Sequence, residues 1–424
     1  MTSSRPWRRR AAVAALCAAI AAIAAPATGA HAATFGSPTI VSGANVTEPG
    51  IDVATDGTVY VNAPTGLLSN APGSPSDLFR SGDGGASFVL TPPGLRSNFP
   101  GGGDFDISVD PATGTIYSTD LWLGSATVGK STDKGQTWLA HPLQGTFVQD
   151  RQWIATSGGG IVYHVTHQIP SGLIVSKSTD GLTYPQSSVA ATPADQTGCV
   201  CPPGSLIAEG GGGLLGSGDK VGVIYATSTG GVKFARSTNG GTTFSSAVVG
   251  PASSADTSTN FPVVANAGGN RLAAVWLEVE GGRSRVEVST STDWGATWSA
   301  KRALVSAGTS VYPWVAAKGK EVAVSVYNTS AQATPDTAPA GSQWFEGYTE
   351  SADGGATFSA LQTVDPTVVK SGPICTGGTN CSANRELGDF QALTLDNAGF
   401  ADLTWVHSIN NQNDTEVRFV HQTG

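Results

Sequence analysis

Acidic, basic and aromatic side chains cluster in this sequence just before a series of short apolar runs. Asp104 and Asp106 precede Ile107, and Asp150 and Arg151 precede Trp153. Tyr312 and Trp314 precede Val315, and Arg385, Glu386 and Asp389 precede Leu393. Carboxylate pairs a few ångströms apart can cleave glycosidic bonds. Arginines pair bidentately with a ligand carboxylate, and aromatic faces stack on sugar rings. The densest run is Asp150-Arg151-Gln152-Trp153. The candidate catalytic groups are Asp150, Glu386 and Tyr312. The candidate ligand-binding groups are Arg151, Arg385, Asp104, Asp106, Asp389 and Trp314. Asp104, Asp106, Asp150 and Asp389 are also hard oxygen ligands of the kind Ca2+ takes, and no other metal or cofactor is expected. His164 and His167, three apart on a strand, point to opposite faces and read as solvated histidines rather than a metal pair. Each residue also has a structural role open to it. Aspartates cap turns, Trp153 and Trp314 can pack between repeat units, and Arg151 can neutralise Asp104 or Asp150.

The elements that must position these groups are hairpins. Seven times an apolar strand, a Gly/Asp/Asn turn and a second apolar strand follow one another, as in Ile51-Asp52-Val53 to Val59-Tyr60-Val61 and Trp153-Ile154-Ala155 to Ile161-Val162-Tyr163. Alternation bounded by turn residues is the mark of a β-hairpin. After most hairpins comes a short box, Ser-x-Asp-x-Gly-x-x-aromatic. It reads Ser81, Asp83, Gly85, Phe88, then Ser131, Asp133, Gly135, Trp138, then Ser291, Asp293, Gly295, Trp298, then Ser351, Asp353, Gly355, Phe358. Ser237, Asn239, Gly241, Phe244 substitutes Asn for Asp, and Ser178, Asp180, Tyr184 is a shortened copy. In such a turn the Asp accepts hydrogen bonds from nearby backbone N–H groups, and the glycine takes positive φ. The boxes are therefore read as structural.

The repeated Asp or Asn positions lie 47 to 60 residues apart, the length of a four-stranded blade. Glu416 to His421 matches the strand that leads into a box elsewhere, and Phe35 to Ser42 matches a strand that follows one. The N-terminal strand is thus expected to complete the last blade. The prediction is an all-β propeller of seven four-stranded blades, six being the alternative, formed by one domain over residues 33–424. Residues 366–384 are read as a loop insertion before the last blade.

The boxes are similar to those of the BNR or Asp-box family, best known from sialidases, over nearly all of the chain after residue 32. The resemblance implies that ligands bind the face opposite the boxes, where the residues preceding the inner strands gather. It implies recognition of an extracellular glycan or glycoconjugate there, with hydrolysis of the exo-α-sialidase type as one form. A non-catalytic protein-binding scaffold is the alternative. The chain departs from the sialidase pattern in lacking a Phe-Arg-Ile-Pro segment and in carrying seven hairpins, where sialidases have six blades. Phe79-Arg80-Ser81 leads into a box and so should lie away from the ligand face.

The N-terminus reads as an export signal. Arg5, Arg8, Arg9 and Arg10 precede the apolar run Ala11–Ala25, and Ala30-His31-Ala32 is an A-x-A cleavage site. A secreted, monomeric protein is expected. The net charge of −9 gives no reason to bind nucleic acid or an anionic membrane. Cys199, Cys201, Cys375 and Cys381 are disulfide candidates in an exported chain, with the near-neighbour pairs and a cross-pairing both open.

Overall fold

The structure, a computed structural model, describes Met1 and residues 32–43, 46–64, 76–91, 101–122, 124–143, 149–168, 171–196, 203–251, 260–305, 307–410 and 414–424. Residues 2–31 of the signal expected over residues 1–32, and both Cys199 and Cys201, lie outside this set.

Alternating Val, Ile, Tyr and Thr residues build the strands, because branched and aromatic side chains fit a pleated, half-buried surface. The strands form seven antiparallel sheets in sequence order. Blade 3 shows the plan: Gln149–Gly158 is innermost, followed outward by Ile161–Gln168, Gly172–Ser178 and Gln186–Ala191. The innermost strands of the other blades are Gly50–Val53, Phe105–Val109, Pro203–Glu209, Val263–Gly268, Thr309–Lys318 and Ala392–Leu395. Each packs beside the next, and the first packs beside the last, so they enclose a central channel. The fold is a seven-bladed β-propeller.

The ring closes as the sequence predicts. Thr39–Ser42 pairs with Thr415–His421 as the outermost strand of blade 7, and Phe35 bridges Gln422. This pairing covers the outer edge of Thr415–His421 and ties both ends of the chain into one blade. The segment read as a loop insertion carries one short strand, Lys370–Ser371, which pairs with Gln343–Trp344 of blade 6. The insertion is closed by a Cys375–Cys381 disulfide.

Successive blades face one another through buried apolar side chains such as Val59, Val165, Val223, Phe234, Val275 and Trp405. Each buried Val or Phe contributes about 1.5–3 kcal/mol. The boxes staple these faces at one end. In blade 2, Gly135 N–H donates to Ser131 Oγ (2.9 Å), which donates to Asp133 Oδ1 (2.9 Å). Thr137 then donates to both Asp133 oxygens, by N–H (2.8 Å) and by hydroxyl (2.6 Å). Blades 1, 5 and 6 repeat the net around Asp83, Asp293 and Asp353. The shortened box of blade 3 makes it around Asp180 with Thr183. The box glycine is obligatory in two senses. Gly85 has φ +86°, and a Cβ there would collide with the Phe419 ring of the neighbouring blade.

Because the box follows the third strand of each antiparallel blade, it lies at the end of the ring where the innermost strand finishes. The residues preceding the innermost strands therefore gather at the opposite mouth of the channel.

Candidate functional site

Three non-glycine residues at that mouth hold left-handed backbone: Glu48 (φ +50°), Arg151 (φ +42°) and Tyr312 (φ +54°). Arg151 lies at a bulge between Asp150 and Gln152, and Tyr312 at a bulge between Val311 and Trp314. A bulge inserts an unpaired residue and re-aims its side chain. Such conformations cost on the order of 1–3 kcal/mol each and persist where the surroundings impose them.

The result is a compact charged cluster. Arg151 Nη1 lies 3.3 Å from Asp104 Oδ1 and 3.8 Å from Glu48 Oε2. Arg385 grips Asp389 bidentately, by Nε to Oδ1 (3.1 Å) and Nη2 to Oδ2 (2.6 Å). The same Nη2 lies 3.5 Å from Glu48 Oε1. Glu48 therefore sits between both guanidinia. Burial, with Asp389 and Asp104 close by, pushes its carboxyl up to about 8 although both arginines pull the other way. Asp150 stands exposed at the rim, its Oδ1 accepting from Arg151 N–H (2.9 Å). Glu48 and Asp104 approach one nitrogen from 3.8 and 3.3 Å, so these oxygens are at most about 7 Å apart, below the upper limit of the carboxyl separations used in glycoside hydrolysis.

Beneath the cluster the channel is plugged by aromatic rings. Trp153 packs against Phe261 (6.1 Å), Trp314 (5.6 Å) and Phe390 (5.5 Å), and Trp314 stacks on Phe390 at 5.7 Å. The Arg151 guanidinium lies 3.7 Å from the Trp153 ring centre and 4.3 Å from that of Phe390. Towards the box end a cavity of about 450 Å3 follows, lined by Ser205, Val263, Trp314, Ala316 and Leu393 among others.

The structure brings Asp104, Asp150, Arg151, Arg385 and Asp389 together and gives the other candidates different work. Glu386 is buried in an ion pair with Lys370, the residue delivered by the short extra strand. Tyr312 is buried with its hydroxyl donating to the Cys375 carbonyl (3.3 Å), and burial holds that phenol well above its ordinary range. Neither is a free catalytic group. Asp106 is turned to the neighbouring blade, where its Oδ2 accepts from Ile154 N–H (2.9 Å), and burial raises it to about 7. Trp314 belongs to the plug and lines the cavity behind it, so its ring is not a stacking platform at the mouth. Both arginines are already paired with carboxylates of the chain. Among the described residues no group of three His, Cys, Asp or Glu side chains is arranged to hold a metal ion, and the four aspartates read as Ca2+ ligands are divided between arginines and backbone amides. His164 and His167 are buried strand residues rather than solvated ones, His164 meeting Thr119 Oγ1 at 3.0 Å. Arg80 leads into the first box and lies 3.5 Å from the Lys134 carbonyl of the next, away from the mouth as expected.

No family model matches this chain, and no curated protein matches it. Solved structures do. An α-L-arabinofuranosidase, Arb93A of Fusarium graminearum, solved as a mutant in complex with an iminosugar inhibitor, is 12% identical at a TM-score of 0.50, over 92% of this chain and 98% of that one. YCF48 from Cyanidioschyzon merolae is 12% identical at a TM-score of 0.51, over 91% and 98%. The shared property is the fold. This chain has a seven-bladed β-propeller architecture. At such identities the likeness places the blades and leaves the chemistry of the mouth to its own residues.

Within that propeller, sequence reasoning places Glu48 at the mouth, because it precedes the first inner strand just as Asp104 and Asp150 precede theirs, but does not select it as a catalytic or binding residue. Phe261 and Phe390 stand at matching positions before two further inner strands, and nothing in their local pattern distinguishes a channel plug from packing between blades.

Proposed function

We propose that this chain is an exported, glycan-recognising propeller that hydrolyses glycosidic bonds at the mouth opposite its boxes. The observation that carries this reading is Glu48, buried between Arg151 and Arg385 and within reach of Asp104. A carboxyl that burial keeps protonated, beside a second carboxyl, divides the roles of acid and base. Glu48, still protonated at neutral pH, donates to the departing glycosidic oxygen. Asp104 serves as base or nucleophile, and Asp150 at the rim takes a sugar hydroxyl. Arg151 and Arg385 hold the carboxylates in place. The N-terminal signal pattern and the Cys375–Cys381 disulfide support export.

Product release, followed by mass spectrometry on a panel of neutral and sialylated glycans, tests this. The purified chain should release sugar, and Glu48→Gln should lose that activity while binding persists. Release that is equal in Glu48→Gln and in the native chain discards the assignment of the acid. Neither release nor binding across the panel rejects the glycan reading in favour of a protein-binding scaffold.

A further inference from the structure

The two arginines that could receive an acidic sugar at this mouth are neutralised from within. Arg385 is committed bidentately to Asp389, and Glu48 shares its Nη2. Arg151 has Asp104 and Glu48 within 3.8 Å. With Glu48 protonated, Asp104, Asp150 and Asp389 set three carboxylates against two cations. A ligand carboxylate entering this mouth meets an excess of its own charge.

Arg151 nevertheless has something left to give. It is only 2% exposed, yet its Nε, Nη1 and Nη2 make no hydrogen bond to any described residue. Buried donors are almost always satisfied by protein, water or ligand. The Trp153 and Phe390 rings hold the guanidinium plane in position while offering no lone pair. Gln152, next in the chain, is anchored through Nε2 to the Asp104 carbonyl (2.6 Å), with its Oε1 left unpaired. The mouth thus combines donors lacking acceptors with carboxylates able to accept. A hydroxyl answers both needs at once, since it accepts from Arg151 and donates to Asp104 or Asp150. A carboxylate can only accept.

We propose that the mouth selects neutral sugars over acidic ones, and that Arg151 orients the sugar by donating to one of its uncharged oxygens. This rests on the mouth being the glycan site. Its test uses matched aryl glycosides that differ only in oxidation at the exocyclic carbon, galactose against galacturonic acid and glucose against glucuronic acid, with a sialic acid glycoside alongside. Binding by calorimetry and hydrolysis should favour the neutral member by about tenfold or more. Equal or better handling of the acidic member overturns this selection and leaves the glycan reading standing. No binding of any member overturns both. Arg151→Lys, which keeps the charge and loses the planar fork, should raise KM about tenfold with a smaller change in kcat. An unchanged KM removes Arg151 from sugar orientation. If that variant does not fold, the matched-pair comparison on the unmodified chain decides the selection.

Discussion

The two ends of this ring use the same residue type in opposite ways. At the box end, Asp83, Asp133 and Asp293 sit in solvent, where hydroxyl and backbone donors of their own turns hold each near 2. At the mouth end and along the channel wall, burial pushes Glu48 to about 8, Asp106 to about 7 and Asp52 to about 6. Acids at the boxes are satisfied by neighbours four residues away and are easily ionised. Glu48 is held by residues more than a hundred positions away. The box acids are held by their own turns, and the acids of the mouth are held by side chains of other blades.

The contrast can be broken most sharply through activity. Glu48→Gln should lower product release by about 100-fold or more, the usual worth of a positioned acid. Asp133→Asn, at a box, should leave release unchanged. Equal losses in both would mean that the mouth has no special role. The next largest effect is on stability. Arg151→Met leaves Glu48 and Asp104 without their shared cation and should cost about 3–5 kcal/mol in denaturant unfolding. A loss below ~1 kcal/mol would show that the guanidinium is not needed to keep the acids together.

The acidity contrast also fixes a pH dependence. Glu48, Asp106 and Asp120 bind protons more tightly folded than unfolded, with folded values of about 8, 7 and 7 against ordinary values of 4.5, 3.8 and 3.8. Their contribution is complete below pH 4 and is lost as pH rises through 7 to 8. His164, pushed down to about 3 by burial, acts in the opposite sense, but only up to its ordinary value of 6.5. Between pH 6.5 and 8 the buried acids act without that opposition, so stability declines and the melting temperature should fall by several degrees. Glu48→Gln should flatten that fall. A melting temperature that is constant or rising over this interval would contradict the protonated state assigned to Glu48. The smallest effect belongs to a single box: Thr137→Ala removes one exposed hydroxyl from Asp133 and should cost about 0.5–1 kcal/mol, with catalysis untouched.

The same division explains what could be read from the sequence. The boxes, the blade count and the closing strand were legible because each is a local pattern, a turn net within a few residues or an alternation within one strand. Asp150, Arg151 and Asp389 could be placed at the mouth because their position before an inner strand is also local. Their partners could not be placed. That Arg385, while gripping Asp389 four residues on, also leans on Glu48 depends on blades 1 and 7 meeting across the closed ring. The ion pair of Glu386 was not legible because its counter-ion, Lys370, arrives on a two-residue strand, too short to show alternation. The hydrogen bond of Tyr312 was not legible because the disulfide loop folds back to accept its hydroxyl.

The closing strand has a consequence in time as well as in space. Phe35 meets Gln422, and Thr39 meets Phe419, so the last blade needs residues nearly four hundred positions apart. Bringing such distant segments together costs little extra entropy, because loop closure grows only logarithmically with length. It does cost time, since non-local pairing slows folding. Glu48 and Arg385 meet only when blades 1 and 7 do. A partly folded chain can therefore hold every box intact and still lack a mouth, and the appearance of activity during refolding should report the moment at which the circle is completed.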